Sequence, residues 1–211
     1  MKTNIKETLE SMTPRGKIFY IWQYYKVHII GTIATLIILV SIVHSLLDKK
    51  EIILNMTLVG QMIDTQAIYD LEEKLNTDIV SDKTEEEVNV QYVKYSKTSL
   101  NQASMIGIQK ITAELTAGSI DLLVVEKELF NELLMEEQLV PLNNFKGFNG
   151  IDLQKHDPYY SNTSKEEIYG VSTSEVKSLS AIDFDENKIL CIPANTNNHD
   201  TISKFFTLID K

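Results

Sequence analysis

The sequence contains few of the residue types that would assign it to a particular class of protein. Among 211 residues it has one cysteine, Cys191, and only four prolines and one tryptophan. A single cysteine excludes an intramolecular disulfide framework, and it fits any compartment because a chain of this length buries a core without such cross-links. The 20 basic residues are outnumbered by 30 acidic ones, for a net charge of −10. This balance argues against a general nucleic-acid binder, because phosphate neutralisation requires a basic surface.

The sequence also lacks the short motifs that identify common catalytic sites. It contains no G-x-S-x-G, no P-loop, no G-x-G-x-x-G, no H-E-x-x-H and no C-x-x-C. We therefore predict no catalytic residues, no metal ligands and no cofactor. An enzyme with an unrecognised site stays open as an alternative.

Two histidine–aspartate pairs are the sequence features most similar to a metal-binding pattern. His156-Asp157 and His199-Asp200 lie on separate predicted loops. They would supply metal ligands only if those loops met, and exposed loop residues are the more common outcome for such pairs.

An acidic group and the lone thiol have equally simple explanations. Asp183, Asp185 and Glu186 lack the glycine and the distal glutamate of an EF-hand, so we predict a solvated turn. Cys191 falls in an apolar stretch that predicts a strand, and we expect a buried, unreactive thiol.

The distribution of charge is typical of a membrane protein. Residues 1–28 carry five basic and two acidic residues, a net +3, and residues 29–47 carry none, so the remainder carries −13. Ile29–Leu47 is a run of nineteen mostly aliphatic residues. At about 1.5 Å per residue it matches a hydrocarbon core of roughly 30 Å. We predict a helix that begins at Thr13-Pro14 and crosses the membrane over residues 27–47.

Aromatic and cationic residues crowd the start of this segment, and we expect them to lie at the membrane interface, where such side chains are enriched. They are Lys17, Trp22, Tyr24, Tyr25 and Lys26. The positive-inside bias then places residues 1–26 in the cytoplasm and residues 48–211 outside the cell. Two alternatives stay open: a buried core helix, and a signal peptide with Val43 and Ser45 at the −3 and −1 positions of a cleavage site.

Beyond residue 48 the hydrophobic period switches repeatedly between that of strands and that of helices. Ile52–Val59 and Val88–Tyr92 alternate apolar with polar residues, and Ile120–Val125 is nearly continuous in apolar residues, as in a central strand. Helical stripes follow each strand, and the second stripe is Met105, Ile108, Ile111 and Leu115. The order βαβαβα predicts a three-layer α/β domain with a mainly parallel sheet.

Local signals mark the ends of these helices and the remainder of the domain. Asp64 is a candidate N-cap and Gly118 a candidate helix terminator. Strands are predicted over Ile168–Thr173 and Lys188–Pro193, with a closing amphipathic helix after them. Asn143–Tyr160, rich in Asn, Gly, Asp and Pro, predicts a long loop.

One segment resembles a recurrent part of extracellular solute-binding proteins with the type 2 periplasmic-binding fold. This segment is Ile111–Phe145, and its marks are Ala117-Gly118 at a helix end, Ile120-Asp121 at a strand start, a helix over Leu129–Glu137 and a Pro141-Leu142 turn. The last helix, Ile202–Ile209 with Phe205-Phe206, is similar to the Phe-rich closing helix of that family. The lead-in Tyr20–Thr32 also resembles uncharacterised membrane proteins of Gram-positive bacteria.

The resemblance implies one lobe of a protein class that normally closes two lobes on a ligand. A single lobe has little concavity for tight capture of a small molecule. We therefore predict a non-enzymatic, membrane-anchored extracytoplasmic domain that binds a membrane or cell-surface protein beside a membrane complex. Its second partner is the lipid bilayer, and a small-molecule ligand is left open. The alternative is a ligand-capturing component whose cleft is completed by a second subunit.

Topology predicts where such a domain would bind. In an open parallel sheet, ligands bind beyond the carboxyl ends of the strands, where the strand order reverses. Those ends lie at residues 60–63, 95–98 and 126–128. The predicted ligand- or partner-binding residues are Gln61, Tyr95 and Glu126.

Overall fold

The computed structural model describes residues 13–47, 50–61, 64–95, 102–145, 152–161, 166–176, 178–179, 182, 184 and 188–209. The chain divides into two compact units, Met1–Lys49 and Lys50–Lys211. The first contains helix α1, Pro14–Leu47, which is 34 residues long. It begins where Thr13-Pro14 predicts, and the Gly16 amide donates a 3.4 Å hydrogen bond to Thr13 Oγ1. Large apolar side chains are exposed along α1, and Tyr25–His44 has the length and composition to cross a membrane.

The second unit alternates strands and helices along the chain. Its elements are β1 (Glu51–Gly60), α2 (Thr65–Ile79), β2 (Glu86–Lys94), α3 (Gln102–Ala117), β3 (Leu122–Val125), α4 (Lys127–Met135), β4 (Pro158–Tyr160), β5 (Ile168–Ser172), β6 (Ile189–Cys191) and α5 (His199–Ile209). Short 3-10 turns occur at Leu142–Asn144, Leu153–His156 and Thr173–Glu175.

The six described strands form one mixed sheet in the order β2-β1-β3-β6-β5-β4. β1 pairs in parallel with both β2 and β3, which confirms the α/β class and the parallel arrangement of the first three strands. The other three strands are antiparallel to their neighbours. β4 lies within the stretch expected to be a loop, and its three residues are too few to show an alternating pattern.

Helices cover both faces of the sheet, so the unit has three layers. α2 and α5 pack on one face and α3 and α4 on the other, and each face has its own apolar core. β3 lies at the centre, and all four of its residues are fully buried. This burial on both faces is what the continuous apolar run Ile120–Val125 predicts.

The predicted signals at the helix ends are confirmed. The Asp64 carboxylate accepts a 2.9 Å hydrogen bond from the Gln66 amide at the start of α2. Gly118 adopts a left-handed φ of +64° after α3. Its amide donates to the Leu115 carbonyl at 3.0 Å, which closes the helix as a glycine in this conformation commonly does.

Helix α3 presents most of the predicted face to the sheet, since Ile111 and Leu115 are buried and Ile108 packs against the same core, but Met105 departs from it. Met105 was expected to face inward, and it is 57% exposed, whereas Ser104 and Gly107 are buried with Ile111 and Leu115. The reason is close packing: a Cβ on Gly107 would lie 2.3 Å from the Lys94 carbonyl oxygen of β2. In the first two turns of α3, the small residues Ser104 and Gly107 therefore occupy the contact with the sheet, and Met105 lies outside it.

Side chains of α2 close part of the free edge of β2. The side chain of Asn76 donates from Nδ2 to the Val88 carbonyl at 3.0 Å, and its Oδ1 accepts from the Val88 backbone amide at 2.8 Å, as a neighbouring strand would. The Glu72 carboxylate accepts from the Val90 amide at 2.9 Å. These bonds satisfy backbone groups that an edge strand would otherwise present to another chain.

A buried carboxylate ties three segments together at the start of β3. Asp121 accepts hydrogen bonds from the Asn55 amide at 2.8 Å, the Thr196 hydroxyl at 2.5 Å and the Asn198 side-chain amide at 2.9 Å. Its own amide donates to the Asn55 carbonyl at 2.9 Å. Asp121 therefore holds β1, β3 and the entry to α5 in place, which is a structural role.

Candidate functional site

The three parallel strands end at one edge of the sheet, which we call the carboxyl edge. Gly60 at the end of β1 pairs with Lys94 at the end of β2, so Gln61 lies level with Tyr95. By continuation of the β1–β3 register, Gly60 lies level with Glu126. The sheet therefore brings the three residues predicted from topology to the same edge, at the point where the chain crosses from β2 to β3.

The antiparallel strands bring further polar residues to the carboxyl edge. Ile189 at the start of β6 pairs with Val125 at the end of β3 and with Ser172 at the end of β5. Lys188, one residue before β6, therefore reaches the position of Glu126. Sequence analysis placed Lys188 in a strand and gave it no role. The signal that could have identified it is a lysine directly before a fully apolar strand.

Glu126 and Lys188 form a buried ion pair. Lys188 Nζ donates a 2.9 Å hydrogen bond to Glu126 Oε1, and the side chains are 13% and 3% exposed respectively. A charge taken out of water in this way is costly unless its partner is held in place. The pair therefore gives the carboxyl edge two opposite charges at fixed positions with no net charge.

The turn after β5 is hydrogen-bonded to the backbone of Lys188. The Thr173 amide and hydroxyl both donate to the Lys188 carbonyl, at 3.0 and 3.1 Å. The Ser172 and Ser174 hydroxyls are 2.8 Å apart. These bonds hold the turn Thr173–Glu175 against the start of β6. The end of β3, the end of β5 and the start of β6 thus bring hydrogen-bonded polar groups together at the carboxyl edge.

Asp157, which precedes β4, adds a carboxylate to this side of the sheet. It has a left-handed φ of +46°, a strained conformation for a residue other than glycine. Its carbonyl accepts a 3.2 Å hydrogen bond from the Ser172 amide. Burial, and secondarily the Asp157 charge, raise the pKa of Tyr159 above its ordinary value. The Tyr159 ring packs edge-on against Phe130 at 5.9 Å between centroids.

The three predicted site residues differ in accessibility. Gln61 is exposed directly after β1. The Tyr95 ring is buried in the core beneath α3, and its amide donates to the Gly60 carbonyl at 2.9 Å. Glu126 is engaged by Lys188. Of the three predicted residues, Gln61 is therefore the exposed one, whereas Tyr95 is buried and Glu126 is held in an ion pair.

The predicted membrane-interface residues lie on the first four turns of α1. Trp22, Tyr25 and Lys26 are exposed, and the Tyr25 ring lies 6.2 Å from that of His28. The side chains of Lys17 and Tyr24 lie outside the part of the chain that the structure describes. Pro14–Tyr24 extends the helix by eleven residues beyond the membrane-length segment.

The two histidines of the predicted histidine–aspartate pairs differ in burial. His156 is buried in a 3-10 turn, so its expected exposure was wrong; Leu153 of the same turn is also buried. His199 is exposed, and its ring lies 4.9 Å from Phe145. Among the described residues, no group of three or more His, Cys, Asp or Glu is arranged to hold a metal ion. The acidic group Asp183, Asp185 and Glu186 lies outside those residues.

Cys191 is buried in β6, as its apolar neighbours predict. Its thiol donates a 3.4 Å hydrogen bond to the Leu123 carbonyl. Burial raises the pKa of this thiol far above its ordinary value, which keeps it protonated and unreactive.

A cavity lies at the opposite edge of the sheet, near the start of β3. Its volume is about 770 Å³. It is lined by Val140, Pro141, Phe145, Asn197, Asn198, His199, Asp200 and Thr201. One of its lining residues, Asn198, donates a hydrogen bond to the Asp121 carboxylate at 2.9 Å.

No protein-family model and no curated protein matches the chain. Two similar solved structures are an extracellular solute-binding protein family 1 member from Alicyclobacillus acidocaldarius and an ABC substrate-binding protein from Listeria monocytogenes in complex with cycloalternan. The first has a TM-score of 0.38 at 16% identity over 59% of this chain. The second has a TM-score of 0.35 at 13% identity over 57%. The matched regions cover 29% and 28% of those proteins, so this chain spans less than a third of their length.

Proposed function

We propose that the protein is a membrane-anchored extracytoplasmic domain that binds another protein through the carboxyl edge of its sheet. The observation that carries the proposal is the convergence of Gln61, Tyr95, Glu126 and Lys188 at one edge, on the crossover between β2 and β3. Open α/β sheets bind ligands at such a crossover because the adjoining loops diverge there and leave a crevice.

The residues of the carboxyl edge favour recognition over catalysis. The Glu126 carboxylate and the Lys188 ammonium are bonded to each other, and the turn hydroxyls bond to backbone or to one another. Groups held this way present a fixed pattern of donors, acceptors and charges. A partner that matches this pattern is selected with little loss of conformational entropy.

The anchor is α1, with residues 1–26 in the cytoplasm, 27–47 in the membrane and 48–211 outside. Support comes from the +3 charge of residues 1–28 and the uncharged run after it. The exposed aromatic side chains Trp22 and Tyr25 support an interface at the start of this run.

An N-terminal tag tests this topology. The tag should remain with the membrane-bound chain and should resist protease added to intact cells, whereas the same protease should digest the domain. Loss of the tag from the membrane-bound chain would show a cleaved signal peptide.

Partner binding is tested by recovery of the intact, C-terminally tagged chain from gently solubilised membranes. The wild type should retain a stoichiometric membrane protein. Gln61→Arg should reduce that recovery about tenfold, the effect of losing about 1.4 kcal/mol at an interface. The matched control is Thr77→Arg on the exposed face of α2, which should retain the partner.

Three results would contradict the proposed partner-binding surface. They are the absence of any stoichiometric partner, an equal loss of partner in both variants, and full recovery with Gln61→Arg. A small molecule retained through purification of the wild type and lost with Gln61→Arg would favour the alternative, a ligand-capturing component completed by a second subunit.

A further inference from the structure

Helix α1 is longer than a membrane crossing requires. Its 34 residues span about 51 Å, whereas a bilayer is about 40–45 Å thick with both headgroup layers included. The eleven residues of Pro14–Tyr24 precede the membrane-length segment Tyr25–His44 and add about 16 Å to it. An upright α1 would therefore extend past a headgroup layer of about 5–7 Å and into water.

The extension carries large apolar side chains that water solvates poorly. Ile18 and Phe19 are each 70% exposed, and Trp22 is 53% exposed. In an upright helix, Ile18 and Phe19 would lie about 9–10 Å before Tyr25, which is beyond the headgroups. A cluster of apolar side chains is stable in contact with lipid and unfavourable in contact with water. A surface other than water is therefore expected to cover them.

The cations of the extension share one side of the helix with these apolar residues. At 3.6 residues per turn, six exposed residues of α1 fall within an arc of about 120°. We call them the α1 face: Arg15, Ile18, Phe19, Trp22, Tyr25 and Lys26. The two cations are the end members of this face, about 16 Å apart along the helix axis. The α1 face thus has an apolar centre with a positive charge at each end.

No acidic side chain of the helix neutralises these cations. Thr13–Leu47 contains Arg15, Lys17 and Lys26 but no Asp or Glu. None of the ion pairs between described residues involves Arg15 or Lys26. A matching surface must present negative charge directly beside an apolar layer. Anionic phospholipids of a cytoplasmic leaflet have both, whereas a nucleic-acid backbone has the charge alone.

We propose that the α1 face binds the headgroups of anionic phospholipids in the leaflet where the membrane segment begins. A tilt of about 30° shortens the projection of α1 to about 44 Å, and it lies within the range found for membrane helices. Tilting toward the α1 face brings Ile18, Phe19 and Trp22 to the acyl boundary. The long side chains of Arg15 and Lys26 then reach the phosphates. The inference rests on the membrane anchoring proposed above, and it adds the lipid charge and the direction of tilt.

Trp22 reports on the α1 face directly, because it is the single tryptophan of the chain. The full chain is reconstituted in lipid nanodiscs of phosphatidylcholine, or of an equal mixture of phosphatidylcholine and phosphatidylglycerol. In the mixed discs, Trp22 emission should move to shorter wavelength and its quenching by acrylamide should fall about twofold, because the ring leaves water. High salt should remove most of this difference by screening the charges.

Two variants that lose the same charge test whether one face of the helix is responsible. Arg15→Gln with Lys26→Gln should abolish the difference in Trp22 emission between the two lipids. The matched control is Lys17→Gln with Lys50→Gln, which should keep it. By helical geometry Lys17 lies about 140° around α1 from Trp22, and Lys50 lies beyond the opposite end of the helix.

Elution of the chain together with lipid separates failure of the anchor from failure of this inference. A chain that does not enter the discs would overturn both. An incorporated chain whose Trp22 emission and quenching are the same in both lipids would overturn the binding of anionic lipid alone. Equal responses from the two charge variants, or a difference that persists in high salt, would overturn it as well. A shift in emission that requires added cytoplasmic protein would assign the α1 face to a protein partner instead.

Discussion

Lys188 Nζ lies 2.9 Å from Glu126 Oε1, although the two residues are 62 positions apart in the chain. Their pairing links the end of β3 to the start of β6, and so joins the parallel and antiparallel parts of the sheet. Both side chains are largely removed from water, so each charge is stabilised mainly by the opposite charge of the other.

Breaking this pair from one side should be more damaging than removing it entirely. Lys188→Met leaves the Glu126 carboxylate buried without its partner, and we expect a loss of about 3–5 kcal/mol in unfolding free energy. The double variant Lys188→Met with Glu126→Leu should recover most of that loss. Denaturant melts of the full chain in detergent, followed by circular dichroism, measure both. A double variant no more stable than Lys188→Met would contradict the expectation.

Substitution of Gly107 should separate α3 from β2. A Cβ at this position would lie 2.3 Å from the Lys94 carbonyl oxygen, so Gly107→Ala must displace backbone. We expect a loss of about 1–3 kcal/mol. The matched control is Gly31→Ala in α1, where a Cβ meets nothing within 4 Å. Thermal melts that show equal effects for the two variants would refute the close packing of α3.

Asn76 should protect the edge of β2 from association. In Asn76→Ala the Val88 amide and carbonyl lose their side-chain partner, with an expected loss of about 1–2 kcal/mol. The bare edge should also promote aggregation on mild heating, detectable by light scattering. Thr77→Ala, one position along the same helix and exposed, serves as the control. Identical scattering from both variants would exclude the protective role.

Alkaline pH should weaken the fold through Tyr159. Burial, followed by the Asp157 charge, raises the pKa of Tyr159 in the folded state. The neutral ring is therefore favoured by folding, and this stability is present below the unfolded pKa of about 10 and lost as the pH rises through the folded value. Tyr159→Phe should lower the drop in melting temperature between about pH 8 and pH 11. Tyr69→Phe on the exposed face of α2 should leave that drop unchanged.

Features that depend on neighbours in sequence could be predicted. The start of α1 at Pro14, the Asp64 cap and the Gly118 terminator each need only a few adjacent residues. The central position of β3 follows from an unbroken apolar run. The edge that gathers Gln61, Tyr95 and Glu126 follows from strand order alone, and their role in binding stays a prediction.

Features that depend on distant contacts could not be predicted in the same way. Helical periodicity assigns the most hydrophobic residues to the buried face, so it predicts that Met105 lies in the core. Gly107 lies in the core instead because the Lys94 carbonyl approaches the helix too closely for a side chain. The residues around Lys188 in the sequence do not show that its partner is Glu126, which lies 62 positions away. Nothing local shows that Tyr95 turns inward while Gln61 stays exposed.

The bonds from Asn76 and Glu72 to β2 have a consequence for a protein held on a surface. Chains anchored in one membrane are crowded in two dimensions, where an open strand edge would seed irreversible polymerisation of neighbouring sheets. Under the proposed membrane anchoring, the hydrogen bonds from α2 leave neighbouring copies fewer free backbone groups of β2 with which to pair.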